Sequence, residues 1–355
     1  MTEHSENTYK NKPVFFILSR PRSGSTLLRM FFDAHPNVSI PFESPWLIGL
    51  YSGFGKRKYW KQKHILKFYR QLLKQWKFEG WDIDRDDLLN KLLSMQGEVR
   101  MSDLFRTVSM CFRSVYDKHE VLAFGDKNPS YSVNAKKLAR IFPDAKFIHL
   151  VRDYRDNICS IRKFNFEAPI VSLLAYRWRY SFCRNMKFAA KNHGKMIRVK
   201  YEDIIMNPEK PLMEICKFIG IPYNSSMLDF HHKKDEFLKK YGNDAFQEYF
   251  PGLFDPVGSL EESAWKTNMS EKEQKIASAV AGKYAVTAGY GDKTYGKGFV
   301  IIKRLPVLFY GWLWYQLRYL YDALPPAIKI FLFRPGAFAG IYYSIKPGKE
   351  KTEAR

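Results

Sequence analysis

An apolar pentapeptide, Val14-Phe15-Phe16-Ile17-Leu18, runs directly into Ser19-Arg20-Pro21-Arg22-Ser23-Gly24-Ser25-Thr26, and an apolar segment of helical character follows over 27–34. A buried strand that passes through a tight glycine-bearing turn into a helix leaves few architectures open. The start of that helix presents backbone N–H groups without intrahelical acceptors, and the helix dipole adds partial positive charge there. Ser23, Ser25 and Thr26 set hydroxyl donors beside those amides. Arg22 adds a fixed cation whose planar fork matches phosphate or sulfate oxygens. The turn is therefore a candidate anion cradle. It is not a G-x-x-x-x-G-K-[ST] loop, because it has a single glycine and no following lysine, and it is not a G-x-G-x-x-G fingerprint. The residues alone also admit an ordinary strand–turn–helix with a serine-rich cap.

A second segment repeats the pattern. Ala145 to Val151 reads as a buried strand and runs straight into Arg152, with Ser160 eight residues on in a helix expected over 155–164. Arg152 at a strand end and Ser160 in the next helix could converge on one anion. Val121-Leu122-Ala123-Phe124 reads as a further strand, ending in Gly125-Asp126-Lys127-Asn128-Pro129. Met196 to Lys200 is a fourth, leading into Tyr201-Glu202-Asp203. Helices are expected over 84–95, 101–117, 131–141, 170–192 and 208–219. Alternating strands and helices predict a parallel sheet with right-handed crossovers, whose ligands bind at the carboxyl ends of the strands. Arg22, Lys127, Arg152 and Tyr201 all fall just past such an end.

The cradle Arg22-Ser23-Gly24-Ser25-Thr26 resembles the 5′-phosphosulfate loop of sulfotransferases that use 3′-phosphoadenosine 5′-phosphosulfate (PAPS). Arg152 with Ser160 resembles the motif by which that family binds the 3′-phosphate. The resemblance covers roughly 13–292 and is closest in style to tyrosylprotein-type and related bacterial enzymes. It implies an α/β, P-loop-like, three-layer fold with a central parallel sheet flanked by helices. It implies sulfuryl transfer from PAPS to an acceptor hydroxyl on a glycan, lipid-linked molecule or peptide, leaving 3′-phosphoadenosine 5′-phosphate, with no metal. Arg22 and Lys127 match the cations at the bridging oxygen. Glu43, in the loop after Asp33-Ala34-His35-Pro36-Asn37-Val38, matches the general base, with His35 as the other candidate. Ser23, Gly24, Ser25, Thr26, Arg152, Ser160 and Tyr201 match donor-binding positions. Trp265-Lys266 resembles the late basic-aromatic element over the donor, and Gly289-Tyr290-Gly291 the closing Gly-Tyr. At Leu27 the chain departs from cytosolic members, which carry a Trp that stacks on adenine, so the adenine partner stays unassigned.

Two other functions remain open on the residues: a nucleotide-dependent kinase of P-loop architecture, and a basic protein that binds anionic lipid or nucleic acid without catalysis. The formal net charge of +22 calls for acidic partners, and a polyanionic donor accounts for part of it. With PAPS as that partner, no nucleic acid is expected. The segment 56–77 carries nine Lys/Arg and no acid, interleaved with apolar residues at helical spacing. It reads as a basic face over a core-packed helix or as a rim for an acidic acceptor or membrane. Cys111, Cys159, Cys183 and Cys216 show no C-x-x-C or zinc spacing and read as buried thiols in a reducing compartment. Residues 1–12 read as a disordered polar tail without a signal-peptide core, which suggests a cytoplasmic location. A catalytic domain is expected over 13–295. The extension 296–355 contains the uncharged, aromatic-rich stretch Leu305 to Leu317, too short to span a bilayer. It reads as a helix in an anionic membrane interface, as packing on the core, or as an oligomer contact, with Phe331 to Tyr343 as a possible addition.

Overall fold

The computed structural model describes residues 9, 11–164, 167–242, 244–250, 252–255, 263–291, 301–326 and 328. Seven strands are present among them: β1 (Val14–Leu18), β2 (Val38–Ser39), β3 (Tyr59–Trp60), β4 (Gly97–Glu98), β5 (Ala123–Lys127), β6 (Lys146–Val151) and β7 (Met196–Lys200). β1, β2, β5, β6 and β7 form a five-stranded sheet in the order β2-β5-β1-β6-β7, parallel throughout. β3 and β4 make a separate antiparallel ribbon. Every residue of β1 and β5 is buried, as expected of inner parallel strands covered on both faces. From β1 the chain moves outward on one side to β2 and β5, then crosses to β6 and β7 on the other. The strand order thus reverses between β1 and β6, and the crevice at their carboxyl ends is where such sheets bind ligands.

Helices cover both faces, as the sequence predicted: α1 (Ser25–Ala34), α2 (Trp46–Phe54), α3 (Gln62–Leu72), α4 (Arg85–Ser94), α5 (Met101–Met110), α6 (Ala135–Ile141), α7 (Tyr154–Arg162), α8 (Val171–Lys191), α9 (Tyr201–Met206) and α10 (Glu209–Ile219). One core lies around Phe16, Trp46, Phe68, Phe105 and Phe147, a second around Phe15, Ile17, Phe31, Ile148 and Phe230, and a third around Ile158, Trp178, Phe182 and Val280. α3 buries Ile65, Phe68 and Leu72 and leaves its lysines outward, so the basic segment is a solvated face over a core-packed helix. Beyond α10 follow α11 (Lys234–Tyr241), α12 (Asp244–Tyr249), α13 (Trp265–Asn268), α14 (Glu271–Ala281), α15 (Lys283–Ala288) and α16 (Leu305–Ala323).

Several boundaries differ from expectation for physical reasons. β5 begins at Ala123 and extends through Gly125-Asp126-Lys127, which the sequence reading placed beyond the strand. The charged end stays in the strand because Tyr131 Oη donates to Asp126 at 2.5 Å and Lys127 finds acceptors in the site. α5 stops at Met110, well short of 117. The helix expected from 131 starts as a 3₁₀ turn over Pro129–Val133, where the Asn128 side chain accepts from the Ser130 N–H. β2 was not foreseen, since two residues carry no periodicity. Cys111, Cys159 and Cys216 are buried, whereas Cys183 is half-buried and donates to Tyr284 Oη. At the amino end Tyr9 packs on the core and Lys12 pairs with Glu120, while 1–8 and 10 lie outside the described residues, as does Phe331 to Tyr343.

Candidate active site

The cradle forms where β1 ends. Gly24 caps α1 with φ +83°, a left-handed conformation that glycine adopts at no steric cost. A Cβ there would lie 2.1 Å from the Tyr201 ring, so that ring rests directly on the loop backbone. Arg22 also takes a left-handed φ of +63°, a strained state for a side chain with a Cβ. No side chain caps the start of α1, and its first turn holds no acid. The helix N-terminus is thus left for an anion.

Arg22 is gathered in by several groups at once. Its Nε donates to Ser160 Oγ at 3.1 Å and its Nη1 to the Tyr249 carbonyl at 2.6 Å. The Phe164 ring lies 4.4 Å from its guanidinium carbon. Arg152 donates from Nη1 to the Arg22 carbonyl at 3.2 Å and lies over the Tyr201 ring. Burial, together with the Arg152 charge, pulls Arg22 down to about 10 from its usual 12.5. An anion between these two cations would relieve that penalty. Asn157 of α7 braces the turn, donating to the Pro21 carbonyl at 2.7 Å and to Ser23 Oγ at 3.2 Å.

Lys127, delivered by β5, donates to Thr26 Oγ1 at 3.2 Å and to Glu43 at 2.8 Å. Lys77 holds the other Glu43 oxygen at 2.7 Å. Burial raises the Glu43 carboxyl, but the two ammonium groups outweigh it and hold it at about 2. Lys127 itself is lowered by burial, which the Glu43 charge opposes. The loop bearing Glu43 is pinned from beneath. Arg29, fully buried on α1, pairs with Asp33 at 2.9 Å, donates to the Ile40 carbonyl and lies 4.0 Å from the Phe42 ring centre.

The structure therefore brings together Arg22, Ser23, Gly24, Thr26, Lys127, Arg152, Ser160, Tyr201 and Glu43, with Ser25 opening α1. Lys266 differs: it is exposed on α13, and it is the neighbouring Trp265 that reaches α7, through Asp156 at 3.1 Å and the Arg155 guanidinium at 3.8 Å. His35 is buried between the Pro222 carbonyl, 2.9 Å from Nε2, and the Asn37 N–H, 3.1 Å from Nδ1. Both ring nitrogens are thereby engaged, and His35 is a structural residue. His149 is buried mid-strand and held neutral, pushed down to about 3 by burial and by Arg198. Tyr290 of the closing Gly-Tyr ties the far end of the domain to the site, donating to Glu202 and the Val151 carbonyl. Sequence reasoning missed Lys77, Arg29, Asn157 and Tyr249. Arg29 did carry a signal, an arginine on an otherwise apolar helix with an acid at i+4.

A family model described as the sulfotransferase family matches residues 13–225. Protein-tyrosine sulfotransferase 1 of Danio rerio is 26% identical over 240 residues, 66% of this chain and 59% of that protein. Protein-tyrosine sulfotransferase of Drosophila melanogaster is 26% identical over 252 residues, 68% of this chain and 44% of that protein. The chain thus spans about half the length of the curated relatives it matches. Among solved structures, the sulfotransferase domain from the Synechococcus PCC 7002 olefin synthase aligns with a TM-score of 0.47 at 23% identity, covering 75% of this chain and 93% of that one.

Proposed function

The chain belongs to the sulfotransferase family, and from that premise we propose that it transfers a sulfuryl group from PAPS to an acceptor hydroxyl. The observation that carries this reading is the meeting of Arg22 and Arg152. They are 130 residues apart in sequence, joined in space through the Arg22 carbonyl, with Ser160 on the Arg22 side chain. Two cations and a hydroxyl beside an uncapped helix start fit a ligand with two separate anionic groups. The bound donor supplies an activated sulfuryl group on a phosphate leaving group.

Each residue then has a task that its position allows. The amides of Ser25 and Thr26, with Ser23 Oγ, hold the 5′ end, while Arg152 and Ser160 hold the 3′-phosphate. Arg22 and Lys127 stabilise negative charge that grows on the bridging oxygen as its bond to sulfur breaks. Glu43 accepts the acceptor's hydroxyl proton as that oxygen bonds to sulfur. A carboxylate at about 2 is a weak base while both lysines hold it. When Lys127 turns part of its charge toward an anion at the bridge, the hold on Glu43 relaxes and its basicity rises. The Glu43–Lys127 pair thereby couples donor binding to proton acceptance.

Nucleotide choice tests the reading. 3′-Phosphoadenosine 5′-phosphate should raise Tm, and 5′-AMP or ATP with Mg²⁺ should do so far less. Arg152→Ala should abolish the preference. An equal response to all three nucleotides, or an Arg152→Ala protein that keeps the preference, rejects it.

A further inference from the structure

α16 is built inside out. At about 100° per residue, Leu305, Phe309, Trp312, Leu313, Leu317 and Leu320 share one arc, and all six are exposed. Tyr310 and Tyr319 border that arc, with Tyr319 69% and Leu320 64% exposed. The only charged residues within the helix, Arg318 and Asp322, are half-buried on the side facing the protein. There Arg318 has a buried Nε and its guanidinium lies 5.5 Å from the Trp314 ring centre, while Asp322 acts on Lys137 of α6. A surface helix ordinarily does the reverse, turning its charges to water.

The inner face is firmly seated. Tyr315 stacks on Tyr180 of α8 at 4.0 Å and 11°. Gly311 allows the close approach, since a Cβ there would lie 2.8 Å from Tyr176. Trp314 carries the Arg177 guanidinium at 4.5 Å, and Ser52 of α2 donates to the Leu324 carbonyl at 2.6 Å. Because this face is occupied, the outer arc is not the face by which α16 packs on the rest of the described residues. It presents a ridge roughly 28 Å long for a helix of 19 residues, interrupted by the half-buried Gln316, and a mostly apolar surface on that scale marks an interaction site.

We propose that the outer arc of α16 lies in the interface of an anionic membrane. Charge selects this occupant over a second copy of the chain. Two copies at +22 each repel, whereas an anionic leaflet attracts them. The side-chain mixture agrees: Trp and Tyr rings among leucines suit the boundary between headgroups and acyl chains. Exposed Lys303 stands at the entry to the helix, where it meets headgroups. The helix lies on the bilayer rather than crossing it, for among the described residues no helix is long and apolar enough to span one. This inference does not depend on the identity of the donor.

Flotation of the full chain with vesicles tests it. Binding should be strong with phosphatidylcholine mixed with phosphatidylglycerol, and weaker with phosphatidylcholine alone. Salt should remove the increment due to phosphatidylglycerol. The triple variant Phe309→Ser, Trp312→Ser, Leu317→Ser changes exposed positions only, so Tm should hold while partitioning falls about tenfold or more. Brominated lipid should quench tryptophan emission in Trp314→Phe and lose most of that effect in Trp312→Phe. Equal flotation of wild type and triple variant overturns the proposal. So does self-association of the wild type that the triple variant abolishes, with no flotation of either, because the arc then belongs to a second copy.

Discussion

Two largely but not fully buried carboxylates flank the cradle, and each is bridged by two cations. Glu43 sits between Lys77 and Lys127, and Glu167 between Arg20 and Arg177. Both are held at about 2 although burial alone would raise them. The resemblance ends there. Around Glu43 the cations are lysines, and the Lys77 side chain is 43% exposed. Around Glu167 they are arginines, both nearly buried, with Trp314 of α16 against Arg177. A lysine ammonium is a point charge on a flexible stem and can be shared with an incoming anion. A guanidinium fork is preorganised and stays where it is placed. Similar acidity therefore goes with unequal clamps: in the proposed mechanism the lysine clamp serves chemistry, while the arginine clamp holds the root of the cradle.

The sharpest way to break this contrast is Glu43→Gln. Turnover should fall about 10²- to 10⁴-fold, as measured by sulfuryl transfer to whatever hydroxyl acceptor supports the wild type. Glu167→Gln should act on stability instead. It leaves Arg20 and Arg177 buried, adjacent and unpaired, at a cost of about 3–5 kcal/mol, and Tm should drop by roughly 10 °C. Turnover of the folded fraction should change far less than in Glu43→Gln. An Glu167→Gln protein with unchanged Tm and lost turnover would erase the distinction. Acid unfolding gives a related reading. A carboxyl lowered in the folded state stabilises it above the ordinary value near 4.5, and that contribution disappears as pH falls toward about 2. Glu167→Gln should therefore flatten the loss of stability across that window. The smallest expected effect sharpens the comparison from the other side. Lys77→Met removes the exposed half of the lysine clamp, so Tm should barely move. The Glu43 carboxyl should rise, and the acid limb of the pH–rate profile should shift upward by about one pH unit. An unmoved limb would show that Lys77 does not tune the base.

The parts of the site legible in the sequence are those carried by local pattern. Arg22 and Arg152 stand at the ends of apolar runs, and a residue at the carboxyl end of a buried parallel strand points into the crevice wherever the strand lies in the sheet. Ser160 follows from helix spacing. Lys127 was placed at the site although the limits of β5 were not, because a strand ending in Gly-Asp-Lys looks like a turn until burial is known. Lys77 was legible only as the last cation of the basic segment 56–77, and its pairing with Glu43 was not. It lies 34 residues from Glu43, on the connection after α3 ends at Leu72. Asn157 and Tyr249 were hidden for the same reason, since their partners are backbone or hydroxyl groups of distant loops. The aromatic stretch from Leu305 was legible as a helix, with membrane interface, packing on the core and oligomer contact all left open. The structure shows the packing on α8, and which face this leaves outward was not legible.

Sequence alone determined the layered α/β class, the strand–turn–helix of the candidate cradle and the cations that surround it, because strand alternation, helix periodicity and the chemistry of a helix start are properties of a few adjacent residues. Tertiary structure alone decided the electrostatic state of those groups. It set Glu43 between two lysines, locked both nitrogens of His35 in hydrogen bonds, and turned the uncharged arc of α16 to the outside. Charge interactions and burial depend on distance through space, and the chain encodes that distance only when all of its elements are packed together.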